Sequence, residues 1–362
     1  MMTEALCLLV AFFAAALFTR VVMPWLLRLC HKFKLYDLPS ERKVHKSGVP
    51  RLGGIVFVPA VVVGMAAALA CMALLSDDVP ETIRLSTLLI GGGAVVVYFI
   101  GVVDDIVGCT AWLKFGVQLA AALTFPVCHL YIDSLYGFCG VGELPLVVAY
   151  PLTVFVTLLI INAVNLIDGI DGLAGTLGFV ALATYGILFS RLDVVLFVLL
   201  AVSLCGALSV FLLFNLLGSA ERHTKTFMGD SGSLMLGVTL SYFTIKYAMV
   251  DSHTLPCRPD GLLMAYSVLL VPCFDLCRVA LCRLRRHRGI FEADRTHLHH
   301  KFMAAGFSMH ATLAAIVALQ LAFLLVNIAL FHLGLRMEFI VLLDVAAFTA
   351  LNVKLPVNKY PL

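Results

Sequence analysis

The chain has 362 residues, 62% of them apolar and 13% charged, with a formal net charge of +3. A soluble globular domain carries about 25% charged residues, so a soluble enzyme is excluded and a polytopic membrane protein is expected. So small a net charge gives no reason to expect nucleic acid as a partner.

A span needs roughly 17 to 25 mostly apolar residues. In chain order such runs fall at about 5–27, 52–75, 85–103, 115–132, 144–161, 173–190, 193–214, 232–250, 262–281, 309–331 and 337–354, eleven in all. The first reads as a span and not as a signal peptide, because no basic segment precedes it. The sixth and seventh are joined so tightly that they should form a hairpin. No repeat and no soluble domain is visible, so residues 1–362 are expected to form one integral membrane domain. The eleven cysteines include no CxxC pair and read as small buried hydrophobes. Cys139 and Cys257 fall in loops on the same expected side, which leaves a disulfide between them open.

Eleven spans put the termini on opposite sides. The loops 28–51, 104–114, 162–172, 215–231 and 282–308, with the C-terminal tail, share one side and hold 18 Lys and Arg residues, against 4 on the other. The positive-inside rule assigns the rich side to the cytoplasm and leaves the N-terminus outside.

The dense polar clusters all fall on that side. "VHKSGVPRLGG" (44–54) precedes the second span and "DDIVGCTAWLK" (104–114) follows the third. "NAVNLIDGIDGLAG" (162–175) follows the fifth, "FMGDSGSLMLG" (227–237) opens the eighth and "DRTHLHHKF" (294–302) follows the ninth. Asp104, Asp105, Asp168, Asp171 and Asp230 thus stand at span ends, where a carboxylate costs less than the roughly 2.5–3.5 kcal/mol of mid-bilayer. Five acids near one surface repel each other unless a cation neutralises them. Oxygen donors without thiolates point to Mg²⁺ or Mn²⁺. Mg²⁺ keeps few protein ligands and takes the rest from water and phosphates, which implies a phosphate-bearing substrate.

Asn162, Asn165, Asp168 and Asp171 recur every third residue. Each such step falls about 60° short of a helical turn. A continuous helix therefore cannot aim all four at one site, and Gly169 and Gly172 permit a break. The helix start at Asp230 and Ser231 should offer free N–H groups to a phosphate. His297, His299 and His300 could bind zinc, although no fourth ligand is evident, or donate hydrogen bonds to a pyrophosphate or sugar. Arg283, Arg285, Arg286 and Arg288 read as a positive-inside signal or a lipid-headgroup contact.

From Val44 to Lys301 the chain resembles the polyprenyl-phosphate N-acetylhexosamine-1-phosphate transferases of glycosyltransferase family 4. "GVVDDIVG", "NAVNLIDGIDGLAG", "FMGDSGSLMLG" and "DRTHLHH" carry the likeness, and the "HLHH" form is similar to the N-acetylglucosamine branch. The resemblance implies an all-α fold of about ten or eleven helices around a cytoplasmic-face cleft in the bacterial inner membrane, often dimeric. It implies Mg²⁺-dependent attack of a polyprenyl phosphate, such as undecaprenyl phosphate, on the β-phosphorus of a UDP-sugar. It makes Asp104 and Asp105 the paired catalytic carboxylates, Lys114 a diphosphate contact, and Asn165 and Asp230 metal ligands. Asp171 would read the uracil, with Asp168 nearby. Asp294, Arg295, His297, His299 and His300 would close on sugar and phosphate, and His45 and Arg51 match positions in the first cytoplasmic loop. The sugar is left open, since Arg288 and Gly289 stand in the reverse of the family's usual order. The competing class is a secondary transporter, whose site would sit near the bilayer midplane between repeats.

Overall fold

The computed structural model describes residues 2–37, 48–75, 85–250, 258–287, 289 and 296–356. His45, Asp294, Arg295, Arg288 and Cys257 lie outside the described residues, and the expectations placed on them with them. Cys139 is an exposed free thiol.

Among the described residues the fold is all-α apart from a two-residue antiparallel ribbon, β1 (Tyr36–Asp37) with β2 (Val49–Pro50), and an isolated bridge between Ser134 and Glu143. The helices are α1 (Met2–Phe33), α2 (Phe57–Leu75), α3 (Leu85–Val107), α4 (Ala111–Val127), α5 (Leu146–Ile167), α6 (Leu173–Ser190), α7 (Val195–Leu216), α8 (Gly229–Ala248), α9 (Gly261–Ser267), α10 (Leu270–Arg285), α11 (Leu298–Ala304), α12 (Met309–His332) and α13 (Met337–Lys354). Among the described residues, seven helices are long and apolar enough to cross a membrane, or up to eight if the bent pair α9–α10 counts as one span. The other expected spans coincide with α4, which is shorter, and with α8 and α13. The α6–α7 hairpin is present, with its two helices packed together.

Helix α8 forms the centre of the site-bearing half, against α3 and α5, while α1, α2 and α7 pack as a neighbouring group. Almost every residue of α8 is buried, although it is rich in Ser and Thr. Three of those hydroxyls are satisfied inside the helix: Ser233, Thr239 and Ser241 donate to the carbonyls of Gly229, Met235 and Gly237, four residues back, while Thr244 pairs with Tyr185 of α6. A low-dielectric interior requires such pairing. Glycine makes the closest approaches. A Cβ on Gly237 would meet the Ile161 backbone at 2.8 Å, and one on Gly101 would meet Ser231 at 2.6 Å.

The ninth expected span is not continuous. It breaks between Ser267 and Leu270 with a 66° bend. Pro272 cannot continue an α-helix through the preceding turn, because it lacks an N–H and its ring clashes with the carbonyl four residues back. Gln320 of α12 repairs the break: its Oε1 accepts the Val271 N–H at 3.0 Å and its Nε2 donates to the Ser267 carbonyl at 2.8 Å.

Candidate active site

The N-terminus of α8 is the hub of the acidic cluster. Asp230 is its second residue, and the first-turn N–H groups of a helix lack intrahelical partners. No local side chain caps them. Asp105 does so from the end of α3: Oδ1 accepts the Asp230 N–H at 2.8 Å and Oδ2 the Ser231 N–H at 2.9 Å. These two N–H groups, expected to face a phosphate, are therefore engaged by a carboxylate. Gly54 backs directly onto Gly232, and the strand before it is pinned alongside. Gly53 and Gly54 donate to the Phe227 and Met228 carbonyls, and Phe227 donates to the Pro50 carbonyl.

Lys114, near the start of α4, joins the acids. Its Nζ lies 2.7 Å from Asp230 Oδ2 and 3.1 Å from Asp104 Oδ2. Asp104 uses its other oxygen to accept the Cys109 N–H at 2.7 Å, which closes the turn between α3 and α4. Asn165, still helical on α5, donates from Nδ2 to Asp230 Oδ1 at 3.2 Å and to Ser233 Oγ at 2.9 Å. Four separate helices thus place Asp104, Asp105, Lys114, Asn165 and Asp230 together.

Helix α5 ends at Ile167 and α6 starts at Leu173, with Gly172 at φ +76°. The expected break is there, yet the four polar residues diverge. Asn162 donates to Gln118 on α4 at 2.8 Å. Asp171 is buried in an ion pair with Lys225 at 2.6 Å. Asn215 braces the same loop by accepting the Gly172 N–H and donating to the Thr226 carbonyl. Asp168 keeps some surface as a residue, but its carboxyl sits deep among protein atoms. Burial, then the charges of Asp230, Asp171 and Asp105, push its pKa up to about 8 against the pull of Arg51.

The histidines sit on short helix α11. His299 is buried, neither ring nitrogen has a hydrogen-bond partner, and its ring lies against Gly169, where no Cβ would fit. Burial, followed by His300 and His297, lowers its pKa to about 3, so it is neutral at cellular pH. His297 and His299 stack with ring planes 7° apart, and His300 lies 4.2 Å from His299 between centroids. Behind them is Asp275 of α10, which the sequence reading did not single out. It receives His297 Nδ1 at 2.8 Å, the Leu298 N–H at 3.1 Å and Arg278 at 2.8 Å. Lys225, Asn215 and Ser233 were also overlooked. A carboxylate inside an apolar run is the signal that could have found Asp275.

Among the described residues, no group of three or more His, Cys, Asp or Glu is arranged to hold a metal. This leaves zinc without a site there. Mg²⁺ demands less, one or two carboxylates plus water and phosphates. Asp104 and Asp230 converge on a single ammonium, with Asp168, raised first by burial and then by the neighbouring acids, beside them. Asp104 and Asp230 are oxygen donors of the kind that suits Mg²⁺, and Asn165, whose amide here donates to Asp230 and Ser233, would add an oxygen only with that amide turned.

The family model described as "Glycosyl transferase family 4" matches residues 86–248. The chain is 30% identical to a probable undecaprenyl-phosphate N-acetylglucosaminyl 1-phosphate transferase of Bacillus subtilis, over 87% of this chain and 83% of that protein. It is 31% identical to a decaprenyl-phosphate N-acetylglucosaminephosphotransferase of Mycolicibacterium smegmatis, over 81% and 75% of the two chains. It is 29% identical to an undecaprenyl-phosphate alpha-N-acetylglucosaminyl 1-phosphate transferase of Escherichia coli K12, again over 81% and 75%.

Proposed function

This chain belongs to the glycosyl transferase family 4, and we propose that it transfers N-acetylglucosamine-1-phosphate from UDP-N-acetylglucosamine to a polyprenyl phosphate in the membrane. The enzyme is a glycosyl-1-phosphate transferase, and its products are polyprenyl-diphospho-sugar and UMP. The observation that carries the reading is the Lys114 ammonium held between Asp104 and Asp230 at the end of an apolar bundle. A water-soluble diphosphate and a greasy phosphate can meet there.

An oxygen of the lipid phosphate attacks the β-phosphorus of the nucleotide sugar. The bond from that phosphorus to the bridging oxygen breaks, and UMP departs with the electron pair. Such transfers depend on positioning and charge neutralisation. A phosphate monoester has its second pKa near 6, so the attacking group is already mostly dianionic at cytosolic pH. Asp104 then serves chiefly to orient it, and Lys114 offsets charge on the diphosphate. Asp230 and Asn165 would hold Mg²⁺, which when bound neutralises the diphosphate and the departing UMP. Asp105 fixes the α8 end that carries Asp230. Asp171 reads the uracil ring. In this reading the protein lies in the bacterial cytoplasmic membrane with its N-terminus outside, this face in the cytoplasm, and a homodimer as its assembly.

Purified protein with undecaprenyl phosphate and a panel of labelled UDP-sugars tests the proposal. Label from UDP-N-acetylglucosamine should enter a butanol-extractable lipid with stoichiometric UMP release. No lipid product from any UDP-sugar would favour the transporter class.

A further inference from the structure

We infer that Asp275 is a positioning residue for the transfer: it fixes His297 as the Nδ1–H tautomer, so that Nε2 is left to accept a hydrogen bond from the nucleotide-sugar substrate. The inference rests on the function proposed above and adds a residue to its machinery.

Asp275 lies six residues into α10 and its side chain is 1% exposed. Three donors converge on it: the His297 ring, the Leu298 backbone N–H and the Arg278 guanidinium. With that many donors and no acceptor facing it, the carboxyl is ionised and only accepts. The proton of the His297–Asp275 bond therefore belongs to Nδ1. In the neutral ring the other nitrogen is then a lone-pair acceptor, and among the described residues the hydrogen bond of this ring is the one to Asp275.

The same carboxylate also sets where the ring stands. His297 is the N-cap of α11, but its own side chain makes no capping bond. Asp275 supplies the cap through Leu298, and Arg278 bonds both Asp275 and the Thr296 carbonyl. Backbone and ring are thus tied to one anchor on either side of His297. The His299 ring, parallel to that of His297, rests against Gly169 in the loop between Asp168 and Asp171. The anchored histidine therefore stands one ring away from the loop that carries the nucleotide contact. Backing an imidazole with a carboxylate is the usual way to hold its tautomer and orientation, and for metal-bound histidines removing such a partner typically costs about 10–100-fold, the scale expected here for Asp275.

The test is ¹⁵N-histidine NMR of the full-length protein in nanodiscs, with the His297 signals assigned by their loss in His297→Gln. Wild type should show a protonated Nδ1 and an Nε2 shift typical of an unprotonated nitrogen. In Asp275→Asn the amide can donate to Nδ1, so His297 should switch to the Nε2–H form and kcat should fall about 10–100-fold. KM for UDP-N-acetylglucosamine should change less than kcat, and Asp275→Glu should recover part of the rate. A wild-type spectrum with Nε2 protonated overturns the inference, and needs no variant to fold. So does a tautomer switch in Asp275→Asn with kcat unchanged. If His297→Gln itself turns over normally, it is the placement of His297 at the active site that fails.

Discussion

The carboxylate of Asp105 on α3 caps the helix that begins with Gly229 and Asp230, accepting the Asp230 N–H at 2.8 Å and the Ser231 N–H at 2.9 Å. One acid of the pair Asp104–Asp105 thus holds the backbone from which a third acid projects, while its neighbour meets Lys114. Asp105→Asn can accept only one of the two N–H groups and sets its own amide against the other. Loss of a charge-assisted bond should cost about 1.5–3 kcal/mol. The variant should melt lower than wild type and lose about 100-fold or more in kcat. Full activity with unaltered melting would show that the cap is dispensable.

Asp230→Asn keeps the shape of the side chain but removes the charge facing Lys114 and Asn165. Turnover should fall to near background while the melting temperature and gel-filtration profile stay close to wild type. An active Asp230→Asn enzyme would take this residue out of the site.

EDTA should abolish transfer, and excess Mg²⁺ should restore it. Mn²⁺ should substitute, since both ions suit oxygen donors. Undiminished activity in EDTA would argue that Lys114 alone neutralises the diphosphate.

Asp168 makes stability depend on pH. Its pKa of about 8 in the folded protein lies far above the ordinary value near 3.9. Between those values the folded state binds more protons than the unfolded one, so stability falls as pH rises. The cost is complete above the folded value. In metal-free and substrate-free protein, Asp168→Asn should melt higher than wild type at about pH 9, and the gap should close toward about pH 4. Parallel melting curves at all pH values would remove the strain from Asp168.

The buried Lys225–Asp171 pair yields a prediction about the nucleotide. Lys225→Met removes the ammonium facing a buried carboxylate, and breaking such a pair from one side costs about 3–5 kcal/mol. Adding Asp171→Leu should recover much of that stability. Asp171→Ala should raise the UDP-sugar KM more than it lowers kcat, and an unchanged KM would count against uracil recognition.

The residues by themselves determined the class of molecule and the materials of its site. Apolar runs of spanning length have few ways to satisfy their backbone other than as helices. A carboxylate costs least at the ends of such runs, so Asp104, Asp105, Asp168, Asp171 and Asp230 could be placed there before any fold was known. The period-three spacing after Asn162 announced the break that the αL conformation of Gly172 completes. The tertiary structure alone decided partners. Asp105 caps a helix more than 120 residues away in sequence, Asn162 turns to Gln118 and not to the acidic cluster, and Asp171 takes Lys225 as a partner on one of its oxygens. Asp275 was hidden in an apolar run, and the bend at Ser267 depends on a glutamine from another helix. Periodicity reports which face of a helix a side chain occupies, because that is local geometry. Hydrogen-bond partners come from elements brought together by packing, and in a bilayer, where an unpaired polar group is costly, those pairings decide what each polar residue is left free to do.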